Sequence, residues 1–176
     1  MRVGLLSDTH GRFDPALPRL FARCDRILHA GDVVGPEILH QLAALAPLTA
    51  VRGNNDVGAF GSGLEEVAVL RLEELKALVV HQIGRPDRML DRASATVADE
   101  GADLVVFGHS HEPHVSLQAG RLFVNPGSAG PRRFKLPRVA GLALIERRRV
   151  RVELYDLDSK GLTLLFDPWE GTLQRS

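Results

Sequence analysis

The sequence predicts an α/β protein with two β-sheets in a single domain, residues 1–176. A chain of this length can form one substantial core and bury about 70% of the surface that it exposes when unfolded. In the N-terminal third, short apolar runs alternate with segments of helical periodicity, which is typical of a parallel sheet covered by helices. In the C-terminal half, several short strand-like runs are separated by short turns, which favours a second sheet.

The N-terminal third has the order β-α-β-α-β. Strands are expected at 2–7, 26–30 and 48–53, because each is a short apolar run that ends in polar or glycine residues. Helices are expected between them at 15–24 and 36–46, where the apolar residues have helical spacing. Ligands of such a sheet bind beyond the carboxyl ends of its strands, so the polar residues at those ends are candidates for a functional site.

The middle of the chain predicts two strands, around 64–72 and 76–83, then a helix from Asp87 to Glu100 and a buried strand at 103–108. Four further segments are expected to be antiparallel strands: 114–118, 121–126, 139–146 and 149–157. Residues 157–176 have no clear period but are too apolar for a solvated tail. This extension is expected to pack on the body of the protein or on another subunit, and the second arrangement would make a homodimer.

Composition limits the partners of the protein. Lys+Arg and Asp+Glu both number 22, so the net charge gives no reason to expect a membrane or an extended nucleic acid as partner. The one cysteine excludes a disulfide framework and a cysteine zinc cluster. No basic leader follows Met1, and no run approaches the roughly 20 apolar residues of a membrane-spanning helix. A cytoplasmic protein is therefore expected.

Seven polar side chains follow the predicted strands on five separate segments, whose motifs are "SDTHG", "HAGDVVG", "RGNND", "VVHQ" and "GHSH". They are Asp8, His10, Asp32, Asn54, His81, His109 and His111. One rigid sheet could bring all five segments to the same edge. Taken alone, an aspartate at a βα turn is often a helix cap, and a histidine after an apolar strand is often a core residue. Together, these residues favour a metal site.

The donor set indicates which metals fit. Carboxylate and amide oxygens with imidazole nitrogens, and no thiolate, suit Mn, Fe, Co, Ni or Zn. Seven groups are too many for one tetrahedral ion. Two divalent ions about 3.5–4 Å apart, sharing one carboxylate and a bridging hydroxide, would use all seven and are well suited to in-line attack on phosphorus.

The order D-x-H, G-D-x-x-G, G-N-x-D, a lone histidine after a strand and G-H-x-H resembles the calcineurin-like metallophosphoesterase superfamily. Here these motifs cover residues 8–111, and "NPGS" at 125–128 is a further similarity. The chain length and the segment "NPGSAGPR" resemble the small single-domain phosphodiesterases of bacteria and archaea. That resemblance implies a four-layer α/β/β/α sandwich of two mixed β-sheets flanked by helices.

The resemblance also implies roles for these residues. The first ion would be held by Asp8, His10, Asp32 and His111, and the second by Asp32, Asn54, His81 and His109, with Asp32 as the bridge. The implied activity is metal-dependent hydrolysis of a small phosphoester, with a phosphodiester as the expected substrate, by a metal-bridging hydroxide. Asp32, Asn54 and His81 are then catalytic as well as metal-binding.

Some positions depart from the family pattern. Asn55 stands where many members have a histidine; its amide can contact a phosphate oxygen but cannot protonate a leaving group. Arg85, Arg132 and Arg133 could bind the phosphate, although loop arginines are more often only solvated. Asp56 is expected to support Asn54 or a neighbouring loop.

The rival interpretation is a non-catalytic scaffold. The retromer subunit with this fold is similar to such a case, because it binds proteins and has a degraded metal site. Every expected ligand is intact in this sequence, which favours catalysis. A nuclease has little support, because there is no added basic domain and the net charge is zero.

Overall fold

A computed structural model, which describes residues 1–133 and 135–174, shows two mixed sheets packed face to face. In the first sheet, β1 (Arg2–Leu6), β2 (Arg26–His29) and β3 (Leu48–Ala50) are parallel, as expected. On the other side of β1 lie β11 (Val139–Glu146) and then β12 (Arg149–Asp156), each antiparallel to its neighbour.

The second sheet has the order β4-β5-β8-β10-β9. Its strands are β4 (Val67–Leu72), β5 (Leu75–Val80), β8 (Leu104–Val106), β9 (His114–Gln118) and β10 (Arg121–Asn125). β5, β8 and β10 are parallel, while β4 and β9 are antiparallel at the edges. The four C-terminal strands expected to be antiparallel are therefore divided: β9 and β10 belong to this sheet, whereas β11 and β12 extend the first.

Helices cover the outer face of each sheet. They are α1 (Leu17–Leu20), α2 (Pro36–Ala43), α3 (Gly58–Ser62) and α4 (Asp91–Glu100). Buried residues of α1 and α2 pack on the first sheet, and those of α4 pack on the second. The largest apolar cluster lies between the sheets. The α/β/β/α sandwich is thus confirmed. None of the described helices has the length and apolarity needed to cross a membrane.

Two predicted helices differ from the observed ones. The segment expected to be helical at 15–24 forms only the single turn of α1, because Pro18 is tolerated only in the first turn of a helix and Arg23 has a left-handed φ of 68°. The helix expected from Asp87 begins at Asp91. The residues before it form a hairpin of β6 (Gly84–Arg85) and β7 (Arg88–Met89), which the sequence did not predict.

The C-terminal extension adds two short strands to the first sheet. β13 (Thr163–Leu164) and β14 (Trp169–Thr172) both pair with β12. Leu173 is buried in the core between the sheets, and Leu165 packs against the same cluster. The described part of the extension therefore packs on the body of its own chain.

Candidate metal centre

The seven predicted ligands lie together at the carboxyl ends of strands from both sheets. Segments after β1, β2 and β3 carry Asp8, His10, Asp32 and Asn54, and segments after β5 and β8 carry His81, His109 and His111. The expectation that one sheet carries all five segments is corrected here, because the sandwich brings the strand ends of two sheets to one edge.

In the first group of donors, Asp8, His10 and His111 offer ligand atoms that all lie within 4.8 Å of one another. The Nε2 atoms of His10 and His111 are 3.3 Å apart, and His111 Nε2 is 3.2 Å from Asp8 Oδ1. Asp8 Oδ1 is buried and accepts no hydrogen bond from any described residue. Because an unpaired buried carboxylate oxygen is costly, this group fits a cation.

In the second group, His81 Nε2 lies 3.1 Å from Asn54 Oδ1 and 3.5 Å from Asp32 Oδ1. His109 Nδ1 lies 2.8 Å from the same Asn54 oxygen. The other ring nitrogen of His81, Nδ1, donates to the carbonyl of Ala30 at 2.7 Å, which leaves Nε2 as the nitrogen that can bind a metal. Metal binding requires this nitrogen without its proton, and a cation between its lone pair and the two acceptor oxygens would remove their repulsion.

The two groups adjoin at the carboxylates. Asp32 turns Oδ1 towards His81, and its Oδ2 lies 3.8 Å from His10 Nε2. The structure also places Asp8 within 4.8 Å of Asp32 and His81, so Asp8 contributes to both groups. The donor atoms of the described residues therefore form two adjoining groups, each of which could hold a metal ion.

The backbone of the predicted ligands is strained. Five of the seven have a left-handed φ, which costs a residue with a Cβ about 1–2 kcal/mol. They are Asp8, His10, Asp32, His109 and His111, with φ of 54, 46, 55, 70 and 59° respectively. Strain of this kind persists only where the surrounding structure fixes it, and it is concentrated at functional sites.

Two glycines allow this edge to close. A Cβ at Gly53 would lie 2.1 Å from the backbone nitrogen of Asp32 and 2.2 Å from its Oδ1. A Cβ at Gly108 would lie 2.0 Å from Ser7 Oγ and 2.7 Å from Asp8 Oδ2. Close approach of the backbone is the reason for glycine at both positions.

Asp56 and Asn55 hold the loops and the carboxylate. Asp56 accepts hydrogen bonds from the backbone nitrogens of Val34 and Gly53, at 2.8 and 2.7 Å, and so joins the two loops that carry Asp32 and Asn54. Asn55, which is predicted to contact the substrate, donates to Asp32 through its backbone nitrogen at 2.7 Å and its Nδ2 at 2.6 Å. Its amide therefore orients the carboxylate between the two groups.

The "NPGS" segment, to which the sequence assigned no role, fixes the loops of both sheets. Asn125 is fully buried, and its Nδ2 donates to the carbonyl of Gly108 at 3.1 Å and to Ser110 Oγ at 3.0 Å. The Ser128 hydroxyl donates to the carbonyl of Asp8 at 2.9 Å. A buried polar residue at the end of the apolar run "RLFVN" is the signal that could have indicated this function.

Arg138 is a buried residue that the sequence analysis missed. Its Nε donates to the carbonyl of Gly130 at 2.6 Å, and its two terminal nitrogens bind the carboxylates of Asp14 and Asp158. The nitrogen of Gly130 in turn donates to the carbonyl of Asp8 at 3.0 Å. Arg138 therefore acts on the candidate site through the loop that holds Asp8.

The three candidate phosphate-binding arginines differ in position. Arg85 is exposed and pairs with Asp87 at 3.0 Å, and Arg132 pairs with Asp158 at 2.9 Å. Arg133 Nη2 lies 3.4 Å from His10 Nε2. Of these three arginines, Arg133 is therefore the one that contacts a predicted metal-binding residue.

The local electrostatics favour the protonation states that metal binding requires. Burial, followed by the charge of Arg133, lowers the pKa of His10, and burial also lowers the pKa of His109. Burial raises the pKa of Asp8, but the neighbouring rings of His111 and His81 outweigh it, so the net pKa is below its usual value. These shifts favour the neutral rings of His10 and His109 and the ionised carboxylate of Asp8, which are the forms that bind a metal.

Fold and donor set together define a metal-binding α/β sandwich. A model of the calcineurin-like phosphoesterase superfamily domain matches residues 1–148, and the chain belongs to this superfamily. It is 30% identical over 149 residues to a probable metallophosphoesterase of Methanothermobacter thermautotrophicus, covering 82% of this chain and 86% of the relative. It is 32% identical over 161 residues to probable metallophosphoesterase MJ0623 of Methanocaldococcus jannaschii, covering 86% and 80%.

Solved structures share the fold. Vps29 from Chaetomium thermophilum superposes with a TM-score of 0.83 at 18% identity, covering 99% of this chain and 100% of that chain. Vps29 from Entamoeba histolytica complexed with Zn²⁺ gives 0.78 at 24% identity, covering 97% and 99%. At these identities the likeness establishes the architecture alone.

Proposed function

We propose that the protein is a dinuclear metal-dependent phosphoesterase that hydrolyses phosphodiesters. The observation that carries the proposal is the position of Asp32, which turns one carboxylate oxygen towards each of two adjoining donor groups. Two divalent ions bound there would supply a hydroxide at neutral pH and neutralise charge on the phosphoryl oxygens. Mn, Fe, Co, Ni and Zn all suit these ligands.

The residues of the chain have separate tasks in this proposal. Asp32 holds the two halves of the site at a fixed separation, and Asn55 fixes its carboxylate by two hydrogen bonds. Asn54 contributes a neutral oxygen, which leaves the site more positive than a third carboxylate would. Arg133, next to His10, adds a guanidinium on the side from which a phosphate could be bound.

Proton transfer to the leaving group is the weak step. Asn55 cannot donate a proton to a departing alkoxide. The protein should therefore hydrolyse esters with good leaving groups, such as aryl phosphates, faster than alkyl ones. Comparable rates across a series of leaving groups would contradict this.

The setting of the reaction is also proposed. The zero net charge supports a small phosphoester as substrate rather than an extended nucleic acid. The single cysteine supports a cytoplasmic location. The described extension packs on its own chain, so a homodimer, if it forms, would use another surface.

The test is to remove metal with a chelator, verify its loss by elemental analysis, and assay aryl diesters, monoesters and cyclic nucleotides before and after reloading. Hydrolysis should require metal, and Asp32→Asn should abolish it, whereas Asp99→Asn on the exposed face of α4 should not. Activity that survives verified metal removal would refute the proposal. A protein that binds two metals but hydrolyses none of these esters would favour the non-catalytic scaffold.

A further inference from the structure

A cleft of about 320 Å³ adjoins the second donor group, and Asn54 and His81 form part of its lining. The α4 cleft, as we term it, lies between helix α4 and strands β4 and β5; its wall residues are Val67, Val80, Leu90 and Ala93. Its volume is at the lower end of the range of small-molecule sites, about 300–1,000 Å³. A ligand centred on the predicted metal ligands could therefore extend a ring-sized group into it.

The walls of the α4 cleft are apolar on two sides. Val67 and Val80 come from the second sheet and are partly buried against the cluster that contains Ala93. Leu90, opposite them at the start of α4, is 48% exposed. An apolar group of a ligand that covers this leucine removes apolar surface from water, which favours binding.

The charged side chains at the mouth of the cleft form ion pairs with one another. Glu66 binds Arg52 through Oε1 and Arg92 through Oε2, each at 2.7 Å. Glu66 neutralises one of the two positive charges, and the planar guanidinium groups of Arg52 and Arg92 can stack on an aromatic ring. Gln82 and Thr96 place an amide and a hydroxyl on the lining, where they can hydrogen-bond a ring heteroatom.

We propose that the α4 cleft binds an uncharged aromatic group of the ester substrate while the phosphate lies over the predicted metal ligands. This inference rests on the proposed function and deepens it, because it assigns the substrate class: phosphoesters of an aryl alcohol or of a nucleoside. The apolar walls select the ring, and the guanidinium groups at the mouth can stack on its face.

The first experiment compares two ligands that cannot be hydrolysed, using calorimetric titration of the metal-loaded protein. Phenylphosphonate should bind about tenfold more tightly than methylphosphonate, equivalent to about 1.4 kcal/mol. Equal affinities, or no measurable binding of phenylphosphonate, would overturn the proposal. The 5′-phosphonate analogue of adenosine monophosphate distinguishes the two sources of the ring: tighter binding than phenylphosphonate indicates a nucleoside, and weaker binding indicates an aryl group.

The second experiment fills the cleft. Thr96→Phe should remove the tenfold advantage of phenylphosphonate while the affinity for methylphosphonate and the metal content stay the same. Ala95→Phe, on the exposed face of the same helix, is the matched control and should change neither affinity. Leu90→Ala, which shortens the wall, should reduce the advantage about threefold. An unchanged advantage in Thr96→Phe and Leu90→Ala would overturn the proposal.

Failure of the two proposals can be distinguished. A preference for phenylphosphonate without hydrolysis of any ester would leave the α4 cleft as a binding site and refute the proposed function. Metal-dependent hydrolysis without that preference would refute the role of the cleft alone.

Discussion

Gly53 sets how closely the two loops of the candidate site approach each other. In Gly53→Ala the new Cβ would lie 2.1 Å from the backbone nitrogen of Asp32, so one loop must move. We expect a loss of about 1–3 kcal/mol in the free energy of unfolding and at least about tenfold weaker metal binding, since Asp32 would shift. Urea unfolding and metal titration measure the two effects.

Gly63→Ala is the control for this substitution. Its φ is −83°, and the nearest atom to the new Cβ, the carbonyl oxygen of Phe60, is 3.4 Å away. It should change the free energy of unfolding by less than about 1 kcal/mol and leave metal binding unaltered. Equal effects of the two substitutions would mean that the approach of Gly53 to Asp32 is unimportant.

His29 predicts a dependence of stability on pH. The ring is fully buried: Gly31 donates to Nδ1 at 3.2 Å, and Nε2 lies 2.9 Å from Thr9 Oγ1. Burial lowers its pKa from 6.5 to about 4. Between these values the unfolded chain binds a proton that the folded protein does not, so the free energy of unfolding falls as pH drops from 6.5 to 4, by about 1.4 kcal/mol per unit.

Chemical unfolding of metal-free protein across this range tests the prediction. His29→Gln should have a shallower dependence than the wild type, whereas the exposed His40→Gln should keep the wild-type slope. If His29→Gln loses stability at low pH as steeply as the wild type, the ring is not the group responsible.

At single positions, the sequence predicts which residues can bind a metal better than it predicts which side chains contact each other. Asp8 and His111 could be chosen from their motifs because the chemistry of a metal site requires those residue types. The partner of Asn55 could not, since Asp32 is 23 positions away and only the folded loops bring them together. The choice between Arg132 and Arg133 likewise depends on the path of the chain after β10, which composition does not encode.

Among the loops, the segment after β10 connects the two sheets at the candidate site, and Arg138 holds it. Arg138→Met would leave the carboxylates of Asp14 and Asp158 without their buried partner. Breaking a buried ion pair costs about 3–5 kcal/mol, and we expect a loss of this size in urea unfolding. Metal affinity should also fall, because the same loop binds the backbone of Asp8.

Arg132→Met tests whether burial is the cause. Arg132 pairs with Asp158 at 2.9 Å, but its side chain is 57% exposed. An exposed pair contributes about 0–1 kcal/mol, so this variant should be nearly as stable as the wild type. Similar losses in both variants would indicate that Asp158, and not the buried network, determines stability.

Periodicity located the longer helices and most strands but not all their ends, and it did not predict α3, β13 or β14. Apolar spacing identified α2 and α4 because each buries one face against a sheet. It overestimated α1, where Pro18 overrides the pattern, and it missed the hairpin of β6 and β7, whose two-residue strands are too short to show a period.

In the molecule as a whole, the C-terminal extension completes the first sheet. Leu173 is 1% exposed in the core between the sheets, whereas Leu164 on the same extension is 38% exposed. Leu173→Ala should lower the free energy of unfolding by about 2–5 kcal/mol, and Leu164→Ala by less than about 1 kcal/mol. Urea unfolding measures these losses, and sedimentation measures the molar mass of the protein. A lower molar mass in Leu173→Ala would mean that the extension packs on another subunit and would contradict the prediction.

The assignment of strands to sheets could not be predicted from local sequence. β10 lies parallel to β8 and β11 lies antiparallel to β1, and each pairing joins segments separated by intervening elements. The α/β class was predictable because alternation of strands and helices is local. The convergence of both sheets on one edge is a property of the completed sandwich.

Anomalous X-ray diffraction from crystals of the manganese-loaded protein tests the central claim most directly. Two peaks about 3.5–4 Å apart, one on each side of the Asp32 carboxylate, are predicted. A single peak would contradict the account. So would the absence of any peak in a structure where the ring nitrogens of His10 and His111 still face each other.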